Sequence, residues 1–377
     1  MISFILLAFI FPYLFLIIRQ NQFLGNVKFN ELNHKLKPLN KFSIIIPTTN
    51  EIFELELLIE SLENQFYPKE FFEILIFVDG NSKLKETFDK KFKEHEVLKI
   101  LGSDSQLGKK KALSILIEAS KFNNIIQLDA DATIGGEFIL GYDQIFRQNL
   151  PDCIVGPVKP IIEEIDNFSS KFFALDFMSL QSIQVANCLK NKANLANGTN
   201  LFFTKIAYNE VKKNLDAFDS PSGDDTFLVQ LLKKNNKKIV WGDLKEILVM
   251  TPLPQSWQSF IEQRIRWGSK TKLYVDNSLK TLAIATILAS LALIASLVLT
   301  VFGKILLVQL AFLFFVKGII DFIYIKKLLN LYQLNFLQSH FVASTLIYPF
   351  YLVFAAYKAN FGSYQWKNIT YAPNKKS

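Results

Sequence analysis

From Thr281 to Phe302 the chain runs 22 residues without a charge. A helix of that length reaches about 33 Å, enough to cross the hydrocarbon core of a bilayer. A chain with such a segment is expected to build around a membrane, and three more apolar stretches agree. Ile2–Ile18 is continuous and is followed by Arg19. No basic residue precedes it and Asn21-Gln22-Phe23 is no cleavage site, so it reads as an uncleaved anchor at residues 1–20 rather than a signal peptide. Ile305–Ile325 is broken by Lys317 and Asp321, which share a helix face and are expected to pair between helices. Phe341–Tyr357 is shorter and carries Pro349; it either crosses or re-enters.

Hydrophobic residues make up 50% of the chain, and the excess collects in those stretches. Residues 40–275 mix charged and apolar positions as a globular domain does. The net charge of +8 suits anionic lipid headgroups or a phosphorylated ligand. No arginine-rich run or nucleic-acid module is present, so no nucleic-acid partner is expected. Lys28, Lys35, Lys37 and Lys41 follow the first anchor, and Lys270, Lys272 and Lys280 precede the next span. By the positive-inside rule the middle domain faces the cytoplasm, from the cytoplasmic (inner) membrane. A basic tail with Lys358, Lys367, Lys375 and Lys376 favours the same side, at odds with three full C-terminal crossings. Cys153 and Cys188 read as buried reduced thiols. His34, His95 and His340 are too scattered for a zinc site or a histidine base, which leaves acid–base work to carboxylates.

The middle domain alternates short apolar strands with helical patterns. Strands are expected at Phe42–Ile46, Phe72–Val78 and Ile125–Leu128, with helices over Glu51–Glu63 and Lys109–Ala119. That alternation implies an α/β fold with a mostly parallel sheet, in which ligands bind beyond the carboxyl ends of the strands. Each of these strands ends in polar residues: Pro47-Thr48-Thr49-Asn50-Glu51, Asp79-Gly80-Asn81-Ser82 and Asp129-Ala130-Asp131. One such ending is ordinary turn chemistry; three in one sheet converge on one crevice. Asp129 and Asp131, two apart at a strand end, are expected to point to one side and to hold a divalent cation such as Mg2+ or Mn2+. Such an ion bridges to a diphosphate and neutralises its growing charge. In Ser222-Gly223-Asp224-Asp225, either Asp224 or Ser222 caps the helix expected near Thr226, or one carboxylate serves as a general base for a sugar hydroxyl. Further on, Gln263, Arg266 and Trp267 fall on one helix face. The guanidinium suits a diphosphate and the indole a sugar, and an interfacial helix suits them too.

In this order the motifs resemble the family-two inverting glycosyltransferases of GT-A (Rossmann-like) fold. The membrane-bound branch includes cellulose, chitin and hyaluronan synthases and ceramide glucosyltransferase. The resemblance covers about residues 42–270. It implies a nucleotide loop at Pro47, Thr48 and Glu51, a nucleoside-reading Asp79, and donor contacts from Lys109, Asp129 and Gly198. It also implies metal binding by Asp131 with Asp129, catalysis by Asp225 supported by Asp224, and donor binding by the QxxRW residues Gln263, Arg266 and Trp267. Gly80 stands where many members have a second aspartate. The architecture it implies is a GT-A domain at 40–250, interfacial helices with QxxRW at 251–280, transmembrane segments at 281–357 and a tail at 358–377. The expected donor is a nucleotide-diphosphate sugar, a UDP-sugar first, and the acceptor a lipid-linked or membrane-proximal glycan. A processive polysaccharide synthase is the alternative, although pore-forming synthases carry more spans. A catalytically dead scaffold is disfavoured by the intact carboxylates.

Overall fold

The computed structural model describes residues 2–25, 27–93, 95–218, 220, 223–366 and 369–371. They form two compact units: Lys28–Ile161 with Asn187–Pro252, and Met1–Val27 with Ile162–Ala186 and Leu253–Ser377. The sequence divides the chain at about 40 and 250. The structure divides it at 28 and 252 and draws residues 162–186 into the unit of long apolar helices, called the membrane unit below for its four candidate spans.

In the first unit the strands are β1 (Phe42–Thr48), β2 (Phe72–Asp79), β3 (Leu98–Ser103), β4 (Asn124–Leu128), β5 (Cys153–Val155), β6 (Val158–Pro160), β7 (Asn200–Thr204), β8 (Ile239–Trp241) and β9 (Val249–Thr251); β1, β2, β4, β5 and β7 are almost wholly buried, whereas the edge strand β3 is not. Seven of them make one sheet in the order β3-β2-β1-β4-β7-β5-β8. The first four are parallel to one another, as expected of continuous runs such as the wholly buried Asn124–Leu128. β7 enters antiparallel to β4 and to β5, a reversal that the sequence does not announce. β6 and β9 pair in a separate parallel ribbon.

The helices in chain order are α1 (Ile2–Phe23), α2 (Ile52–Glu63), α3 (Ser82–Lys91), α4 (Lys109–Ala119), α5 (Phe138–Asn149), α6 (Phe168–Leu189), α7 (Lys205–Asp216), α8 (Asp224–Lys234), α9 (Trp257–Ser269), α10 (Asn277–Val301), α11 (Leu307–Leu331) and α12 (Phe341–Phe361). On α2, Leu55, Leu58, Ile59 and Leu62 repeat at helical spacing and are buried against the sheet core. Among the parallel strands β1 to β4 each connection carries a helix to the next strand, so their carboxyl ends gather their loops at one edge.

The second unit holds α1, α9, α10, α11, α12 and most of α6. Among the described residues four helical stretches are long and apolar enough to cross a membrane: Ile2–Phe23, Asn277–Val301, Leu307–Leu331 and Asn335–Phe361. α10 starts earlier than the apolar run, because Asp276 caps it through the Leu279 N–H at 2.9 Å. α12 passes through Pro349 without a break and, with the turn before it, spans 27 residues. Its length thus suits a crossing rather than a re-entrant loop. Lys317 and Asp321 pair at 2.5 Å, and Tyr13 of α1 donates to the other carboxylate oxygen at 2.7 Å. The ion pair lies within α11, as the four-residue spacing implies, and the Tyr13 bond ties it to α1. Lys367, Lys375 and Lys376 of the tail lie outside the described residues. A short antiparallel ribbon, β10 (Tyr364–Trp366) and β11 (Ile369–Tyr371), follows α12.

Candidate active site

β1 ends at Thr48, and the loop beyond it is shaped by Glu51. The Glu51 carboxylate accepts from Thr48 Oγ1 at 2.9 Å, from Thr49 N–H at 2.8 Å and from Asn50 N–H at 3.0 Å. Thr48 to Glu51 therefore make one closed turn at the strand end, directly after Pro47 of β1. At the end of β2, Asp79 is buried and accepts the N–H groups of Leu107 at 2.6 Å and Gly108 at 2.9 Å. Asp79, expected to read a nucleoside, here secures the segment that starts α4. The next residue, Lys109, reaches Asp129 Oδ1 at 2.5 Å.

Asp129 follows β4, and its second oxygen accepts from Thr199 Oγ1 at 2.7 Å. One expectation needs correction here. β4 stops at Leu128, and residues 129–132 form a turn closed by Ala132 N–H on the Asp129 carbonyl at 3.1 Å. Strand alternation therefore does not set the directions of Asp129 and Asp131; the turn does. The two carboxylates still act on each other. Burial, then the charge of Asp129, pushes Asp131 up to about 6, while Lys109 opposes the shift and Glu51 adds to it. Burial alone would lower the Lys109 ammonium. Asp129 outweighs it, helped by Asp225 and Asp224, and the group is raised. Glu51, Lys109, Asp129, Asp131, Asp224 and Asp225 thus share one electrostatic crevice.

α8 begins at Asp224, two residues earlier than expected, and its cap is Gly223, whose φ of 104° favours glycine. Asp224 is therefore inside the first turn and does not cap the helix; Ser222 lies outside the described residues. Asp225 accepts from Thr226 N–H at 2.7 Å and from Gly198 N–H at 2.8 Å. Gly198 is enclosed on its other side by Gln127, whose Nε2 donates to the Gly198 carbonyl at 3.0 Å. A Cβ at Gly198 would stand 2.7 Å from Gln127 Nε2 and 3.2 Å from Asp225 Oδ2, so only glycine fits.

Sequence reasoning missed Gln127, although a lone amide inside a buried apolar strand demands a partner. Thr199 and Asn200 belong to the Asn197-Gly198-Thr199-Asn200 stretch that the resemblance places at the sugar pocket; Asn200 donates to the Pro157 and Ile247 carbonyls at 2.9 and 2.8 Å and accepts from Tyr142 at 2.5 Å.

The expected metal residues fit a hard cation by the chemistry of their donors. Two carboxylates repel in a half-buried crevice, and the field between them suits a divalent ion. Among the described residues no cluster of three or more His, Cys, Asp or Glu side chains encloses one. Mg2+ and Mn2+ accept such an open arrangement, since they keep waters and take phosphate oxygens from substrate.

Gln263, Arg266 and Trp267 lie on α9, in the membrane unit rather than the sheet unit. α9 is capped by Ser256 and Ser259 in a reciprocal box.

Residues 43–211 match the sequence model described as Glycosyl transferase family 2. Over that span, less than half of the chain, the sequence is similar to a family 2 glycosyl transferase domain. The match takes in Pro47 through Gly198 and stops short of Asp224, Asp225 and α9. No curated protein matches the sequence. Among solved structures, the mannosyltransferase PcManGT of Pyrobaculum calidifontis, in complex with GDP-Man and Mn2+, is similar at a TM-score of 0.57 and 16% identity, with 92% of this chain and 97% of that chain covered. At that identity the likeness shows the fold alone, a GT-A, Rossmann-like one. S. aureus TarS is similar at a TM-score of 0.43 and 15% identity over 66% of this chain, which spans 43% of TarS. TarS 1-349 in complex with UDP-GlcNAc gives 0.43 and 14%, with 89% and 97% covered.

Proposed function

We propose that the chain is a membrane-anchored inverting glycosyltransferase. It moves a sugar from a nucleotide-diphosphate donor, a UDP-sugar first, to a lipid-linked or membrane-proximal glycan acceptor. The observation that carries this reading is the pair of bonds from two consecutive residues: Gly198 N–H to Asp225 and Thr199 Oγ1 to Asp129. Through them a base for the acceptor and the acidic site for the leaving diphosphate are held at a fixed spacing.

In the reaction, Asp225 takes the proton of the acceptor hydroxyl as its oxygen attacks the anomeric carbon. The bond from that carbon to the diphosphate breaks on the opposite face, and the diphosphate departs as an anion. A single displacement inverts the centre, so an α-linked donor yields a β-linked product. Asp131 with Asp129 would hold a divalent ion, which when bound would supply Lewis-acid stabilisation of the departing charge. Lys109, beside Asp129, adds a positive charge to the same crevice. Asp79 orients the loop that carries Lys109, and the Pro47–Glu51 turn receives the nucleoside end. Gln263, Arg266 and Trp267 are assigned to the donor on chemical grounds, the guanidinium for the diphosphate and the indole for the sugar. The mannosyltransferase of similar fold was solved with a nucleotide sugar and Mn2+, the ligand pair that the acidic crevice suits. The domain faces the cytoplasm, the side favoured by the lysines that flank α1 and α10.

The test is consumption of nucleotide sugars by the detergent-solubilised chain across a donor panel. One donor should be converted to nucleoside diphosphate in the presence of a divalent ion, and Asp225→Asn should stop it. No conversion of any donor with native membranes as acceptor would overturn the reading.

A further inference from the structure

Arg264 is one of the two unassigned positions inside Gln-x-x-Arg-Trp, yet it is the most constrained charge of α9. It is 8% exposed. Its guanidinium lies 4.6 Å from the ring centroid of Phe260 and 4.4 Å from that of Trp267, one turn to either side. Nε donates to Asp176 Oδ2 of α6 at 2.5 Å, and Nη1 donates to Gln263 Oε1. The other oxygen of Asp176, itself 5% exposed, accepts from Tyr351 of α12. Nη2 is buried and makes no hydrogen bond. A packing role alone would be served better by an apolar side chain, because a buried charge needs its partners and an orphaned donor is a cost.

We infer that Arg264 is a positioning residue for the transfer, fixing the Gln263 amide and the Trp267 ring of α9 to the membrane helices through Asp176 and Tyr351. The planar guanidinium is what allows both actions. It stacks on the indole while its edge holds two oxygens, which an ammonium does not reproduce. Asp176 and Tyr351 then join α6, α9 and α12 at one point inside the cluster of Phe172, Phe173 and Phe260. Tyr351 in turn packs on Tyr348 at 5.2 Å between centroids, and Lys317 of α11 lies 5.1 Å from the Tyr348 ring. The aim of the QxxRW side chains is therefore set from within the bundle. This inference rests on the transferase reading for what those side chains do, but not for how they are held.

The experiment uses the full chain in detergent with Arg264→Lys, Asp176→Asn and the double variant. Each is read by thermal midpoint, by kcat and donor KM, and by amide exchange over residues 262–269. Arg264→Lys should lower kcat at least tenfold with donor KM within threefold and little change in midpoint. The double variant should be no slower than the worse single one, as expected of residues that act as a unit. Exchange over 262–269 should rise in both single variants and stay unchanged in β1. Independent, multiplying losses or full turnover of Arg264→Lys would overturn the inference while leaving the transferase reading intact. Unchanged exchange would overturn it even if no donor is turned over by the wild-type chain. A midpoint collapse shared by all variants would reduce Arg264 to a structural ion pair, which overturns it too.

Discussion

The backbone N–H of Gly198 donates to Oδ2 of Asp225 at 2.8 Å, and the Gly198 carbonyl accepts from Gln127 on the other side at 3.0 Å. The peptide at position 198 is thus clamped between the proposed base and a buried strand residue. Gly198→Ala places a methyl group 2.7 Å from Gln127 Nε2. Asp225 should be displaced by a fraction of an ångström, and kcat should fall about a hundredfold, the cost typical of such misplacement. Steady-state rates with an unaltered circular dichroism spectrum check this. Near-native turnover would show that the clamp does not set the base.

Asp225→Asn should reduce turnover by roughly 10²–10⁴-fold, as loss of a general base does. Donor binding, followed by titration calorimetry, should persist. The wild-type product should be β-linked by NMR. An α-linked product, or a normal rate in this variant with loss in Asp224→Asn, would reassign the chemistry.

Asp131→Asn should abolish both transfer and Mn2+ binding, because its carboxylate is the one not already held by Lys109 and Thr199. Asp129→Asn should weaken both and also release Lys109. Titration of each variant with Mn2+ alone separates the two effects. Full activity of Asp131→Asn in chelator would remove the metal from the mechanism.

Topology is open to cysteine labelling with low background, since Cys153 and Cys188 are both buried. Cysteines at the exposed Lys90 and Lys234 should resist an impermeant thiol reagent in intact cells. A cysteine at Lys304, exposed in the turn between α10 and α11, should react. The reverse pattern would invert the proposed orientation.

Much of the sheet was legible because its first strands are short, mostly apolar and end in polar residues. Phe42–Ile46 and Ile125–Leu128 grow by only one or two residues in the structure, and Lys109–Ala119 is the helix its pattern implies. What could not be read depends on partners distant in sequence. The bond from Asp79 to the Leu107 and Gly108 amides crosses 28 and 29 residues, and no local pattern foretells it. The antiparallel entry of β7 comes after α6, a long and mostly apolar helix whose sequence carries no amphipathic signature. The turn at 129–132 was misjudged because Asp-x-Asp reads equally well as the last residues of a strand. Arg264 was passed over in favour of Arg266, although Phe260, Arg264 and Trp267 have the i, i+4, i+7 spacing that stacks a guanidinium between rings.

The pair of Lys317 and Asp321, completed by Tyr13, also bears on biogenesis. α1 emerges from the ribosome long before α11 is made, so Tyr13 spends most of synthesis without its acceptor. If α11 crosses a membrane, leaving its carboxylate and ammonium facing lipid would be unfavourable, so its insertion should couple to capture by the first helix. The two helices act as a late-closing clasp: the membrane unit reaches its final packing only after the sheet unit has been translated. Mutations at Tyr13 should accordingly lower the yield of inserted protein in the cell more than the rate of the protein that survives.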